Sequence, residues 1–398
     1  MTQLSPLTAK SVALRLTDRV SLPILESPVK LARLHPEAIP ILLNQTTDEQ
    51  DLGNLFMRIF YLMNALRMKE FALEMQAKAL SYRRMYRLEG PAQPKMRLLA
   101  LLGPGDWEEN APLEFLVENS AIRLDLLYIL ADGLLPEHIP DHDVVIVALG
   151  ESSQNNLILN LMGQMLAHWP RPVINHPSRV LGCARDKACD VLQGIEGLCV
   201  PKTFRVGRDD MRQLTYPLII RPMDKHGGQG LKKIDDADQL AQYLAQQPEL
   251  FFYLAEYIDY QSADGLFRKY RIALLDGKPY ISHLAISNDW IVHYASAGMQ
   301  LSEEKRAEEA HVMQHFDSEF VPRHQLVLDE ICNRFQLEYL ILDCAELSDG
   351  RLLYFEADNG GWVHAVDPIE NFSYKKPVMQ KLFDAFFKML ESRLTSES

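Results

Sequence analysis

Apolar residues recur at steps of three and four in the first part of the chain, most clearly from Asp48 to Leu88. This spacing places them on one helix face and predicts a helical unit over residues 1–90, with no convincing strand. The stretch from Lys69 to Tyr86 sets small alanines among larger apolar residues, which resembles tetratricopeptide helices. A plain helical bundle fits equally well, so both interpretations stay open.

A breaker-rich joint, Gly90 to Pro94, separates this unit from an apolar run at Met96 to Leu102 that predicts a buried strand. Strand-like and helical patterns then alternate, which favours a Rossmann-like, parallel α/β domain over residues 95–178. The further strand-like runs are Arg123 to Leu130, Asp143 to Leu149 and Pro172 to Asn175, and the helical pattern runs from Gln154 to His168.

Hairpin-like strands dominate from about Arg185 onward, with Asp276-Gly277 as a strong turn signal between two of them. We therefore predict an α+β domain with antiparallel sheets over residues 179–398, in an α/β multidomain protein. The predicted strands are Leu218 to Arg221, Phe251 to Tyr257, Tyr270 to Leu275, Pro279 to Ala285, Tyr339 to Ala345 and Arg351 to Glu356; the predicted helices are Ser302 to Phe316 and Arg323 to Phe335.

Composition narrows the function classes. A chain of 398 residues exceeds what one core usually organises. Its net charge of -13 argues against nucleic acid or an anionic membrane as a general partner. The sequence has no apolar run of roughly 18 residues, no signal-peptide pattern and no Cys-x-x-Cys pair among its five cysteines. These features predict a cytoplasmic protein.

The segment from Arg221 to Gly230, the glycine loop, follows a predicted strand and contains Gly227, Gly228 and Gly230. Glycines let backbone N–H groups approach a phosphate closely and let a loop close as a lid. A hairpin tip without a ligand is the alternative interpretation of this segment.

Three acids lie on two strands that a short turn connects. Asp343 is on the first strand, and alternation places Glu356 and Asp358 on one face of the second. Clustered carboxylates repel one another unless a hard cation such as Mg2+ neutralises them. A solvated strand end with the acids turned into water is the alternative, and the surrounding apolar residues favour the metal interpretation.

Four cations complete the candidate chemistry, because an acidic protein that binds phosphates must concentrate positive charge locally. Each of them taken alone is more often a surface charge. They are Lys187, Arg221, Lys269 and Arg271.

Taken in order, these features resemble the ATP-grasp superfamily, in the branch of ribosomal-protein glutamate ligases, glutathione synthetases and D-alanine ligases. The resemblance covers roughly residues 95–385. The phrases that carry it are Val173 to Pro177, Arg185-Asp186-Lys187, Val200 to Thr203, Pro217 to Arg221 with the glycine loop, Ala255 to Ile258, Tyr270-Arg271, Asp343 and Glu356-Ala357-Asp358.

The resemblance implies ATP as a substrate, with Lys187 as its first phosphate-binding lysine and Arg221 in place of the second. It implies that Arg271 lies near the transferred phosphate, and it places Lys269 where the family carries an acid; we predict both as catalytic residues. The same comparison assigns Glu256, Tyr257 and Ile258 to the hinge that faces the adenine, leaves Asp264 as the candidate ribose-binding acid, and gives the glycine loop the role of lid.

The resemblance also implies that Asp343, Glu356 and Asp358 hold two Mg2+ ions, with Mn2+ as an alternative. Asp358 replaces the asparagine that is more common in the family. The segment Gly360 to Pro368 departs from the familiar ending, and we assign it to the acceptor substrate.

The implied function is an ADP-forming carboxylate–amine ligase that acts through an acyl-phosphate on small-molecule or peptide substrates. A kinase of the same fold and an inactive nucleotide-binding scaffold or sensor are the alternatives. The helical N-terminus is a candidate surface for a protein partner or a homodimer, or a brace for the central domain.

Several other residues are candidates for the acceptor side of the reaction. A histidine near its ordinary pKa can deprotonate an amine, although each is more often structural. The histidines are His283, His293 and His364; the candidate pocket aromatics, more often packing residues, are Trp290, Tyr294 and Trp362; the candidate substrate turn is Glu151 to Asn155.

Overall fold

The computed structural model describes residues 15–17, 20, 22–25, 52–211, 214–225, 227–294 and 296–395. Two helices, α1 (Leu52–Ala65) and α2 (Lys69–Tyr82), pack against each other and supply the predicted helical character. Residues 1–51 lie mostly outside the described residues, so the tetratricopeptide interpretation stays a prediction.

The expectation of no strand before residue 90 is wrong. Strand β3 (Met85–Leu88) forms within it, as do the short strands β1 (Arg15–Thr17) and β2 (Ile24–Leu25). In β3 the side chains of Tyr86 and Leu88 are buried, whereas those of their neighbours are half-buried, which is the two-residue period of a strand. Four residues at the end of a longer helical pattern are too few for this period to stand out.

A six-stranded sheet forms the first half of the molecule, in the order β2-β3-β5-β4-β7-β8. Strands β4, β5, β7 and β8 are parallel, as predicted, while β3 runs antiparallel to β5. The elements of this half are β4 (Met96–Leu102), α3 (Leu113–Leu116), β5 (Ile122–Tyr128), β6 (His138–Pro140), β7 (Val144–Val147), α4 (Asn156–Leu166), β8 (Val173–Ile174) and α5 (Pro177–Val180).

A four-stranded antiparallel sheet, β10-β13-β11-β12, carries the glycine loop between its strands β11 and β12. One face of this sheet and helix α7 enclose a small core of their own, separate from the main one. The elements are β10 (Thr203–Gly207), β11 (Leu218–Pro222), β12 (Lys232–Ile234), α7 (Ala237–Gln246) and β13 (Phe251–Glu256).

A five-stranded sheet, β15-β14-β16-β17-β9, lies beside it and shares the main core with the six-stranded sheet. The turn Asp276-Gly277 has φ values of 47° and 77°, which confirms the predicted hairpin. The elements are α6 (Arg185–Leu192), β9 (Leu198–Cys199), β14 (Phe267–Leu275), β15 (Lys278–Ser287), α8 (Glu303–His315), a π turn (Phe316–Phe320), α9 (Val321–Phe335), β16 (Tyr339–Glu346), β17 (Leu352–Asp358), α10 (Ile369–Phe372) and α11 (Lys375–Thr395).

The arrangement confirms the predicted class, an α/β protein with one largely parallel sheet and separate antiparallel sheets. The two halves are joined by hydrogen bonds at their boundary. The Asn359 side chain, which follows β17, donates to the carbonyls of Val147 and Leu149 at 3.1 Å each. The end of β17 therefore lies against the carboxyl end of β7. Among the described helices, none is long and apolar enough to cross a membrane.

Candidate active site

The three predicted acids and two of the predicted cations, Lys269 and Arg271, lie on three neighbouring strands. Asp343 on β16 is paired in register with Glu356 on β17 and with Arg271 on β14. The expectation that Asp343 and Glu356 lie side by side is thereby confirmed. A register shift directly after Asp343 interrupts the ladder at this point, a type of irregularity that is common next to functional sites.

Asp343 is held between two cations. Its side chain is only 2% exposed. Its Oδ1 accepts a hydrogen bond from Arg271 Nε at 2.8 Å, and its Oδ2 accepts from Arg271 Nη2 and from Lys269 Nζ, both at 2.9 Å. Burial alone would raise the pKa of this carboxyl, but the two cations hold it well below its usual range. Asp343 therefore orients both of the predicted catalytic cations.

Glu356 forms its ion pair with Arg185, the first residue of α6. Burial opposes ionisation of Glu356, yet the Arg185 guanidinium lowers the pKa of the carboxyl to about 2. Lys187 lies on the same helix two residues later and is exposed; its Nζ donates to the Leu181 carbonyl at 3.3 Å. Residues two apart on a helix do not face the same way. The structure thus brings Arg185 rather than Lys187 into contact with the acids.

Asp358 lacks such a partner among its described contacts. Its Oδ1 accepts a hydrogen bond from the Gly360 N–H at 2.7 Å. Burial, and next the negative charge of Glu356, raise the pKa of the Asp358 carboxyl. A half-buried carboxylate with this excess of negative charge is stabilised by an added cation.

The three acids fit Mg2+ in the chemistry of their donors, because all offer hard carboxylate oxygens. Within the described part of the chain, however, their oxygens are not gathered as tightly as the ligands of one ion would be. The sequence predicted that the three carboxylates converge. In the structure they occupy neighbouring positions, but their oxygens do not gather around one point. Glu356 and Asp358 are the better placed pair, since both oxygens of Asp343 already accept from Lys269 and Arg271.

The glycine loop adopts a conformation that requires glycine. Gly228 and Gly230 have φ values of 74° and 68°, in the left-handed region. A Cβ atom at Gly228 would overlap His293 Nε2, and one at Gly230 would lie 2.6 Å from Pro222 Cδ. The loop therefore packs closely against His293; His226 within it lies outside the described residues.

Arg221 lies at the base of the glycine loop, where its guanidinium donates a hydrogen bond to the Lys225 carbonyl. Burial, and next the like charge of Arg185, lower the pKa of Arg221 to about 9, so it stays protonated at neutral pH. Glu356 is the acid that offsets part of this repulsion. Two neighbouring guanidinium groups that share one carboxylate form a surface suited to an additional anion.

A contact between the two halves of the molecule holds the loop in place. The Ser153 N–H donates to Asp224 Oδ1 at 2.9 Å, and the Ser153 hydroxyl also donates to this carboxylate. Ser153 belongs to the predicted substrate turn after β7. Here the turn contacts the glycine loop, a role that the sequence did not indicate.

The residues assigned to adenine and ribose lie at the end of β13 and beyond it. Glu256 is the last residue of β13, and its N–H donates to the Lys202 carbonyl at 3.2 Å. The Tyr257 ring lies 4.4 Å from Lys233 Nζ, and Ile258 packs against the main core. Asp264 is 48% exposed and pairs with Arg268 at 2.7 Å. Its described partners do not include the phosphate-site cations, and a ribose-binding role stays a prediction.

A buried ionic network fixes the segments beside Arg271. Glu309 on α8 is fully buried and accepts hydrogen bonds from Tyr294 at 3.0 Å and from Tyr374 at 2.6 Å. Lys375 pairs with Glu309 at 3.2 Å and with Asp367 at 2.8 Å. The network ties the segment after β15 to the segment after β17. Its members are far apart in the sequence, and no local pattern pointed to them.

The candidate histidines differ in their surroundings. Burial keeps the pKa of His283 well below its usual range, and its ring packs on Tyr294 with 4.5 Å between ring centroids. Burial also lowers the pKa of His364. His293 is half-buried against the glycine loop, and burial followed by the charge of Lys269 lowers its pKa. All three imidazoles are therefore neutral at pH 7, and His293 lies beside the loop.

Trp362, one of the predicted pocket aromatics, packs against a second tryptophan. Its ring meets the Trp107 ring edge-on, with 5.1 Å between ring centroids, and its Nε1 donates to the Trp107 carbonyl at 3.0 Å. The Trp362 carbonyl accepts from Arg271 Nη1 at 3.3 Å. The segment after β17 is therefore anchored both to the first half of the molecule and to the cation cluster.

Solved structures similar to this chain come from ligases and a related protein. A D-alanine–D-alanine ligase from Bacillus anthracis, complexed with ATP, is 13% identical with a TM-score of 0.46, and the similarity covers 76% of this chain and 100% of that chain. A RimK domain protein ATP-grasp from Sphaerobacter thermophilus is 13% identical with a TM-score of 0.43, over 74% and 99% of the two chains. The VanG D-Ala:D-Ser ligase from Enterococcus faecalis is 12% identical with a TM-score of 0.44, over 76% and 100%.

No protein-family model matches the sequence, and no curated protein matches it either. At these identities and TM-scores, the similarity to solved structures defines neither an activity nor a substrate for this chain. The argument for function therefore rests on the site itself.

Proposed function

We propose that the protein is an ATP-dependent carboxylate–amine ligase that forms ADP and phosphate through an acyl-phosphate. One observation carries the proposal: Arg185, Arg221, Lys269 and Arg271 surround a small group of acids between the sheet with the glycine loop and the five-stranded sheet. The arrangement supports a polyanionic substrate whose charge changes during the reaction. The ordered motifs that resemble the ATP-grasp superfamily support ATP as that substrate.

In the proposed first step, an oxygen of the substrate carboxylate attacks the γ-phosphorus of ATP, and the bond to the β-phosphate oxygen breaks. ADP leaves with the electron pair, and an acyl-phosphate remains. Arg221 and Arg185 bind the phosphates, while Lys269 and Arg271, oriented by Asp343, face the charge that develops on transfer. Glu356 and Asp358 would hold bound Mg2+, which would neutralise phosphate charge.

In the proposed second step, the amine nitrogen attacks the acyl carbon, and phosphate leaves with the C–O bond electrons. The amine must lose a proton. His293 is our candidate acceptor at Nε2, because its imidazole is neutral at pH 7 and it lies beside the glycine loop. The loop excludes water, which would otherwise hydrolyse the acyl-phosphate.

Release of ADP and phosphate from Mg-ATP, measured across pools of carboxylates and amines, tests this function. We expect both products to depend on one carboxylate and one amine together, and to fall at least about a hundredfold in Arg271→Ala, as for loss of a transition-state charge contact. An Arg84→Gln variant is the matched control, since Arg84 pairs with Asp132 at the surface of the first sheet.

The same assay distinguishes the alternatives. ADP without phosphate, together with a phosphorylated acceptor, would identify a kinase. Tight ATP binding without turnover in any pool, including peptide acceptors, would replace the ligase with a nucleotide-binding scaffold or sensor.

A further inference from the structure

Two histidines and a glutamate lie together where α8 passes into the π turn, and the proposed ligase chemistry uses none of them. His311 and His315 are on α8, and Glu319 is in the π turn. One ligand atom from each lies within 4.8 Å of the other two. His311 and Glu319 are exposed and His315 is half-buried, so the group is accessible to solvent and to ions.

The π turn explains how three residues at four-residue spacing converge. In a regular α-helix with 3.6 residues per turn, each step of four residues advances about 40° around the axis, so Glu319 would lie roughly 80° from His311. A π turn has more residues per turn, and a four-residue step through it falls short of a full circle. Glu319 therefore returns to the face of His311, and its Oε2 lies 3.6 Å from His311 Nε2.

A backbone hydrogen bond prepares His315 as a ligand. Its Nδ1 lies 2.8 Å from the carbonyl oxygen of His311. A carbonyl oxygen only accepts, so Nδ1 carries the proton and Nε2 has a free lone pair. Histidine ligands of metals are commonly oriented by such a bond from the other ring nitrogen. The rings of His311 and His315 also lie close together, with centroids 4.3 Å apart and planes tilted by 33°.

We propose that His311, His315 and Glu319 bind a transition-metal ion of the Zn2+ type. Two imidazoles and one carboxylate are a common donor set for Zn2+, with the remaining position taken by water. Mg2+ is a poor occupant, because it prefers oxygen ligands and octahedral geometry. The bound ion clamps the end of α8 to the π turn.

Calorimetric titration of the full-length, metal-free protein with Zn2+, in excess Mg2+ to occupy oxygen-rich sites, tests this proposal. We expect one equivalent of Zn2+ to bind at this site, with affinity reduced on the order of tenfold to a hundredfold in either His311→Ala or His315→Ala. His168→Ala is the matched control, an exposed histidine on the first half of the molecule, and it should bind like the wild type.

Thermal unfolding gives a second readout that does not depend on activity. A ligand that binds only the folded state raises the melting temperature, so Zn2+ should raise it in the wild type and in His168→Ala but not in the double variant His311→Ala/His315→Ala. Equal Zn2+ affinity in wild type and double variant, or no binding to either, would overturn the proposal.

Discussion

Asp343 and Asp358 lie on the same pair of strands, but their electrostatic surroundings are opposite. Asp343 is enclosed by Lys269 and Arg271, and its pKa is lowered. The described hydrogen bond of Asp358 comes from one backbone N–H, its negative neighbour is Glu356, and its pKa is raised. Side chains of the protein neutralise the negative charge of Asp343, whereas Asp358 keeps an excess of negative charge around it. Such an imbalance costs stability and is typical of functional sites.

The largest effect is expected from Asp343→Asn. The substitution leaves the half-buried Lys269 and Arg271 without the buried carboxylate that neutralises them, and breaking a buried ion pair from one side typically costs about 3–5 kcal/mol. The free energy of unfolding, measured by urea denaturation, should fall by this amount, and the proposed ligase activity should be lost. Asp264→Asn is the control for stability, because Asp264 forms an exposed pair with Arg268 and solvent screening makes exposed pairs contribute little to stability. If both variants lost a similar, small amount of unfolding free energy, Asp343 would behave like an ordinary surface acid.

A smaller loss is expected from Arg271→Lys. Lysine keeps the positive charge but cannot make the two parallel hydrogen bonds that Arg271 makes to Asp343. The free energy of unfolding should fall by about 1–2 kcal/mol, since one charge-assisted hydrogen bond is lost while the other partner remains. Urea denaturation at pH 7 measures this change. If Arg271→Lys lost as much unfolding free energy as Asp343→Asn, the two-bond geometry of arginine, rather than its charge, would be what holds Asp343, Lys269 and Arg271 together.

The smallest effect, and one of opposite sign, is expected from Asp358→Asn. Because the folded-state pKa of Asp358 is raised, its ionisation opposes folding above the unfolded-state pKa. The variant should therefore be more stable than the wild type at pH 7, by about 0.5–2 kcal/mol as for other stabilising changes. The difference should shrink as the pH falls through the raised folded-state pKa of Asp358 and should vanish below the unfolded-state pKa of about 3.9. Affinity for Mg-ATP should decrease at the same time. A destabilised variant at pH 7 would contradict the contrast with Asp343.

Local sequence patterns were sufficient to predict most of the helices and strands, as well as the pairing of Asp343 with Glu356. Strand β4 matches the apolar run from Met96 to Leu102, and the Asp276-Gly277 turn joins β14 to β15. These features depend on residues near one another in the sequence, where period and turn chemistry are decisive. Strand β3 was missed because its pairing partner, β5, lies well beyond it in the sequence.

The partners within the site could not be predicted in the same way. Arg185 and Glu356 are 171 residues apart, and Ser153 and Asp224 are 71 apart. Nothing local distinguishes Arg185 from Lys187 as the cation that reaches the acids, because that choice depends on how α6 is rotated against the five-stranded sheet. The sequence therefore predicted the composition of the site better than its contacts.

The central claim is that Arg185, Arg221, Lys269 and Arg271 form a binding site for the phosphates of ATP. Its most direct test is a calorimetric titration with ATP in the presence of Mg2+. We predict binding of one ATP per chain, with affinity reduced on the order of tenfold or more in Arg221→Gln, the loss expected for a charge-assisted contact of about 1.5–3 kcal/mol. Arg84→Gln should bind like the wild type. Equal ATP affinity in wild type and Arg221→Gln, or no ATP binding to the wild type, would contradict the assignment.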